Sequence, residues 1–232
     1  MIKLHENAPN YIELTRSEIN GQRMYNSPHG PLPSVTTILS ATKPAADKAG
    51  LDRWRQRVGE VEAAKITKIA SDRGTIMHNI LEHWVKNLEF DPGNNMIHRQ
   101  AKTMASVIKE NIKESMTEVW GSEVPLFYEG LYAGTTDLVI KWNGNLVIGD
   151  FKQTNRPKKE EYVQDYYVQL AAYAMAHNDM YGTNIREGHI FMCSVDGQYQ
   201  QFSLTEDNFD YWINEWLNRV EQFYMTHQAQ SA

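Results

Sequence analysis

Apolar residues recur along this chain at two periods, and the change between them divides it. Two short alternating runs, "YIELT" and "QRMYN", flank Asn20-Gly21 and predict a hairpin over 11–26. The segment "SPHGPLP" reads as a loop, and Ser34 as the cap of a short helix through Ser40. A longer helical stretch covers about 47–69, with a break near Ser71–Gly74. "TIMHNILEHWVKNL" is helical again, because Ile76, Ile80, Leu81, Trp84 and Leu88 follow the three-to-four spacing. "FDPGNN" interrupts it, and another helix covers about 97–118.

The period then drops to two. Strands are predicted over 123–129, 132–142 and 145–153, then a helix over about 160–181. A second hairpin, 186–194 and 198–204, turns at Asp196-Gly197. A last helix, about 206–226, carries Phe209, Trp212, Trp216, Val220 and Phe223 at core spacing, and the Gln-rich tail after Tyr224 reads as frayed. This order predicts an α/β fold, a central mixed sheet flanked by helices. We divide the chain into an N-terminal hairpin and helical subdomain (1–70), a core (71–228) and a tail (229–232).

One stretch breaks the apolar logic. "GTTDLVIKWNGNLVIGDFKQT", residues 134–154, places Asp137 and Asp150 in strands that would otherwise be apolar. A two-residue turn at Asn143-Gly144 makes Trp142 face Asn145, Ile140 face Val147 and Asp137 face Asp150. Opposed residues share a face, about 4.5–5.5 Å apart at Cβ. Period two adds Lys152 to that face, opposite Thr135. Opposed carboxylates repel, and Lys152 alone leaves one of them underpaired. A divalent cation compensates both. Carboxylates holding Mg²⁺ or Mn²⁺ beside a lysine suit phosphodiester hydrolysis, where charge on attacking and leaving oxygens must be stabilised.

Composition narrows the class. The chain has 232 residues, 41% of them hydrophobic, enough for one domain with a small appended part. No apolar run approaches the roughly 18 residues of a membrane span, and "MIKLHENAPNYIEL" lacks a signal-peptide core. We expect a soluble protein of the cytoplasm, in a bacterial or phage-infected cell. The one cysteine, Cys193, excludes a four-cysteine cluster. The net charge of −6 argues against a general nucleic-acid coat. Locally the balance reverses: eight Lys/Arg face five Asp/Glu between Lys43 and Arg73, and Arg156, Lys158 and Lys159 follow the carboxylate stretch. The plain reading of each cluster is a solvated face.

Gly134-x-x-Asp137, Asp150-x-Lys152 and Gln169-x-x-x-Tyr173 together resemble the PD-(D/E)xK nuclease superfamily, in its RecB-like branch. "RGTIMHNILEHW" supplies that branch's upstream histidine, His78, and "EVPLF" its strand with a leading Glu123. "PSVTTIL" and "QLAAYA" are similar to the mitochondrial genome maintenance exonuclease group and its phage relatives. The resemblance covers about 70–210 well and 33–69 weakly. It implies a restriction-endonuclease-like core. It implies that Asp137, Asp150 and the Phe151 carbonyl ligate Mg²⁺ or Mn²⁺, with His78 as a further ligand or as a contact to a metal-bound water. Lys152 is then the catalytic lysine, and Gln169 supports the site. Glu123 and Glu82 are lesser candidates. Arg73, Arg156, Lys158, Lys159 and Tyr173 fall to the nucleic acid, although packing is the plainer role of Tyr173. Trp54 stacks on bases or packs.

The implied activity is a metal-dependent DNA exonuclease favouring single strands, in replication, recombination or repair. The alternatives are an endonuclease, a duplex-end resection nuclease, or a silent binding subunit. The chain carries no phosphate-binding loop of the Gly-x-x-x-x-Gly-Lys-Ser/Thr type, so a helicase or recombinase would act in trans.

Overall fold

The hairpin predicted at the N-terminus is the start of a three-stranded antiparallel sheet, ordered β1 (Thr15–Ile19), β2 (Gln22–Ser27), β3 (Gly30–Pro33). The computed structural model describes residues 8–19 and 21–231, with side chains through Thr226, so the Asn20 half of the first turn lies outside the described residues. Strand β3 replaces the expected loop. Its two prolines are tolerated because β3 is an edge, where half the backbone needs no ladder partner. Ser34 caps α1 (Val35–Ala41) as expected, its Oγ accepting from the Thr37 amide at 3.0 Å.

The helical region breaks elsewhere than predicted. α2 (Ala45–Val58) and α3 (Glu60–Val85) part at Gly59, whose φ of +86° suits glycine. Ser71–Gly74 lies inside α3, which runs unbroken across 70–71. Gly74 serves close packing instead: a Cβ there would stand 3.3 Å from the Gln153 side chain. The buried stripe of α3 is Met77, Leu81 and Val85; Leu88, expected on it, follows the helix end and is exposed. α4 (Met96–Ile112) is capped by Asn95 and stops short of 118, because Met116 already begins β4.

The main sheet is ordered β4 (Met116–Tyr128), β5 (Tyr132–Trp142), β6 (Asn145–Thr154), β7 (Gly188–Ser194), β8 (Tyr199–Leu204). All neighbours are antiparallel except β6 and β7, which are parallel and joined through α5 (Gln164–Tyr181). This is the expected α/β architecture with one mixed sheet. Each face carries a core. On one, Val139, Ile148, Ile190 and Met192 pack under α1, α5 and α6 (Glu206–Ser231). On the other, Leu138, Ile140, Val147, Phe151 and Phe191 pack under α3 and α4. Phe209, Trp216, Val220 and Phe223 of α6 are buried at their predicted spacing, with Trp212 packed beside them. The α6 backbone continues to Ser231, past Tyr224, where the frayed tail was expected to begin. Among the described residues, no helix is long and apolar enough to cross a membrane.

Candidate active site

The predicted register holds for half the hairpin and then fails, and the failure makes the site. Trp142 pairs with Asn145, Ile140 with Val147 and Leu138 with Gly149. There the β5–β6 ladder ends. Beyond it β6 pairs with β7 as far as Thr154, and β5 stays with β4, so the two strands part. Asp137 and Asp150 flank the opening rather than forming a ladder pair. Asp137 bridges it: its Oδ2 accepts from the Phe151 amide at 2.7 Å, which satisfies a donor the parted ladder leaves free. Phe151 itself is buried between His78 and Phe191, at ring separations of 6.1 Å to each.

Helices from both layers reach this opening. From α3, His78 Nδ1 lies 3.4 Å from Asp137 Oδ1. From α5, Gln169 Nε2 donates to Asp150 Oδ1 at 3.2 Å. Lys152 sets its ammonium on Asp150 Oδ2. Asp150 thus meets Lys152 on one oxygen and Gln169 on the other.

The charges follow from burial and neighbours. Burial opposes ionisation of Asp137, but the His78 imidazolium, the Lys152 ammonium and the Phe151 amide outweigh it and hold the carboxyl below its usual range. Burial likewise opposes charge on His78, and Asp137 overcomes it, lifting the imidazole to about 9. Burial pushes Asp150 up to about 6, with Asp137 adding and Lys152 subtracting. Burial lowers Lys152 less than the carboxylates of Asp150 and Asp137 raise it, so it stays an ammonium.

Glu123 completes the site. β4 is irregular between Val119 and Gly121, and Glu123 has φ +54°. Ser122 pairs with Leu138 and Val124 with Thr136, which sets Glu123 opposite Asp137. Burial, then the Asp137 charge, push Glu123 up to about 7. His78, Glu123 and Asp137 each offer one donor atom, all within 4.8 Å of one another. One imidazole and two carboxylates are a donor set that a divalent ion fits, and a cation would relieve the charge conflict between the acids. Glu82 is one turn from His78 but is paired with Lys86.

The motif's outer residues have structural duties. Tyr173 is buried, and a Cβ on Gly134 would meet its ring at 2.8 Å. The glycine of one motif thus makes room for the tyrosine of another, and Tyr173 lies in the interior rather than on a nucleic-acid path. Arg73 is interior too, 3% exposed, with its guanidinium on the side-chain oxygens of Gln153, Gln100 and Asn155. A long basic side chain on a polar helix gives no sequence sign of that burial. Arg156 and Lys159 are exposed. The Lys158 ammonium donates to Tyr166 Oη at 3.0 Å. Trp54 is half-buried and, with Arg57 and Arg156, lines a cavity of about 570 Å³ at the end of β6.

A mixed sheet that parts over two acids and a lysine, with an imidazole and a third acid at the same opening, defines a nuclease of the PD-(D/E)XK type. The family model of the PD-(D/E)XK nuclease superfamily matches residues 92–230, and the chain belongs to that superfamily. Its members use divalent metals. Among curated proteins, the chain is similar to mitochondrial genome maintenance exonuclease 1 of Xenopus tropicalis, at 28% identity over 84% of this chain and 58% of the relative. It is similar to the protein of the same name from Mus musculus, at 30% identity over 83% of this chain and 59% of the relative. The Homo sapiens protein is 28% identical over 83% and 58%. The chain spans somewhat under three-fifths of the length of these relatives.

Proposed function

We propose that the protein is a deoxyribonuclease that degrades DNA from its ends, favours single strands, and works with Mg²⁺ or Mn²⁺. The observation that carries this reading is the His78, Glu123 and Asp137 donor cluster beside the Asp150–Lys152 pair. The names of the similar proteins support end-directed cleavage. His78, Glu123 and Asp137 would hold the ion, with Asp150 and the Phe151 carbonyl next to them. The ion supplies positive charge to the phosphate oxygens and makes water a stronger acid.

The chain's own residues do the rest. Lys152 presents an ammonium to the phosphate, where negative charge grows in the transition state. Asp150 anchors that ammonium, and Gln169 fixes the carboxylate from the other side. Arg156 and Lys159 meet the backbone of the strand, and Trp54 and Arg57 border its path along the cavity at the end of β6. Replication, recombination or repair is the setting this chemistry serves, with any motor or recombinase supplied in trans.

The test is a digest of end-labelled linear and of circular single strands, and of duplexes, with Mg²⁺, Mn²⁺ or excess EDTA. Linear single strands should shorten fastest and circles should resist. Cut circles would make it an endonuclease, and undiminished cleavage in EDTA would remove the metal.

A further inference from the structure

We infer that Tyr166 is a positioning residue for Lys152, and that Lys158 steadies it; this rests on the nuclease reading above. The Lys152 ammonium lies 5.1 Å from the centroid of the Tyr166 ring, and the Lys158 ammonium 4.9 Å from the same centroid. Lys158 also donates to Tyr166 Oη at 3.0 Å. Its backbone is not a loose loop. The Lys158 amide donates to Gln200 Oε1 at 2.8 Å, and Gln200 Nε2 returns to the Lys158 carbonyl at 2.8 Å. Strand β8 therefore holds Lys158, Lys158 holds the Tyr166 hydroxyl, and the ring faces Lys152.

The need for such a device is physical. A lysine ammonium is a point charge on four flexible carbons, and one carboxylate contact does not fix its direction. A ring face adds a second, directional attraction. Tyr166 and Gln169 are three residues apart, on one face of α5. One helix face thus places both partners of the Asp150–Lys152 pair, Gln169 on the carboxylate and Tyr166 on the ammonium. Lys158 then acts on turnover through the ring, not as a contact to phosphate.

The experiment compares wild type, Tyr166→Leu, Tyr166→Phe and Lys158→Met, with Lys152→Ala as the inactive control. Each full-length protein is given linear single-stranded DNA and Mn²⁺. Tyr166→Leu should lower kcat about tenfold or more with KM held within about twofold, and Tyr166→Phe should restore most of it. Lys158→Met should lower kcat by a smaller factor and leave the salt dependence of binding unchanged. A second arm needs neither metal nor DNA: acetylation of Lys152 by acetic anhydride, followed by mass spectrometry. It should speed up in Tyr166→Leu and not in Tyr166→Phe. Unchanged kcat in Tyr166→Leu, a Phe variant as damaged as the Leu variant, or an unchanged acetylation rate overturns the inference. Should Tyr166→Leu not fold, an unchanged kcat in Lys158→Met overturns it. If wild type cleaves nothing, the nuclease reading fails, and the acetylation arm still decides whether Tyr166 holds Lys152.

Discussion

Glu123 shows how much a single backbone angle contributes to this site. Its φ of +54° is unusual for a residue with a side chain and costs roughly 1 kcal/mol or more. That conformation sits where the carboxyl meets His78 and Asp137. Burial also raises its pKa from 4.5 to about 7. The folded metal-free protein then binds a proton that the unfolded chain releases, so this group's contribution to stability falls as pH rises from about 4.5 to about 7. Glu123→Gln should remove that part of the slope, read as urea midpoints at pH 5 and pH 8 without metal. The same variant should bind Mn²⁺ about tenfold or more weakly by calorimetry, because one anionic donor is gone. Asp137→Asn keeps the shape and removes another donor, and cleavage should fall by orders of magnitude. On the proposed mechanism, Lys152→Ala should keep its fold and lose about 10²-fold or more in kcat, because the ammonium assigned to the transition state is gone. Unaltered turnover would return Lys152 to a plain ion pair.

At the scale of elements, the site depends on how closely α5 lies on β5. Gly134 sits under the Tyr173 ring, and Gln169 is one turn away on the same helix. Gly134→Ala places a methyl 2.8 Å from an atom of the buried Tyr173 ring, so the ring, or α5 with it, must shift. We expect a stability loss of about 1–3 kcal/mol, seen as a lower urea midpoint, and a drop in kcat as Gln169 leaves Asp150. A variant as stable and as active as wild type would show that the helix has slack. α3 makes the matching approach on the other layer, where Gly74 rests on Gln153 and His78 follows one turn later.

For the whole molecule, two histidines away from the site set an acid limit. His177 is buried on α5 between Tyr11 Oη at 3.1 Å and Thr183 Oγ1 at 2.7 Å. His189 is buried on β7, with Nδ1 2.9 Å from Ser203 Oγ. Burial lowers both to about 4. The unfolded chain then takes up these protons first. Their contribution is complete above an unfolded pKa near 6.5 and is lost as pH falls toward about 4. Glu123 and Asp150 push the opposite way, so the histidine part is read as a difference. The urea midpoint of His189→Gln should fall less than that of wild type between pH 7 and pH 4.5, and parallel falls would reject this account.

Much of the fold could be read in advance, because period and turn chemistry are local. Asn143-Gly144 allows a single tight turn, and that turn carries the register that brings Asp137 and Asp150 to one opening. The spacing of Phe209, Trp216 and Val220 likewise placed α6 on the core. Other features had no local cause. The strands part after Leu138–Gly149 because β6 continues along β7, a neighbour 40 residues on, while β5 stays with β4. Arg73 looked like a phosphate contact and is interior, since Gln100 of α4, Gln153 of β6 and Asn155 just beyond that strand gather round it. Tyr173 is interior because Gly134, on another strand, leaves it room. The sequence by itself determined the turn at Asn143-Gly144, the register as far as Leu138–Gly149, and the set of acids, lysine and histidine that are candidates for the chemistry. Only the tertiary structure decided which of them meet, because side chains distant along the chain converge once the layers have packed on both faces of the sheet.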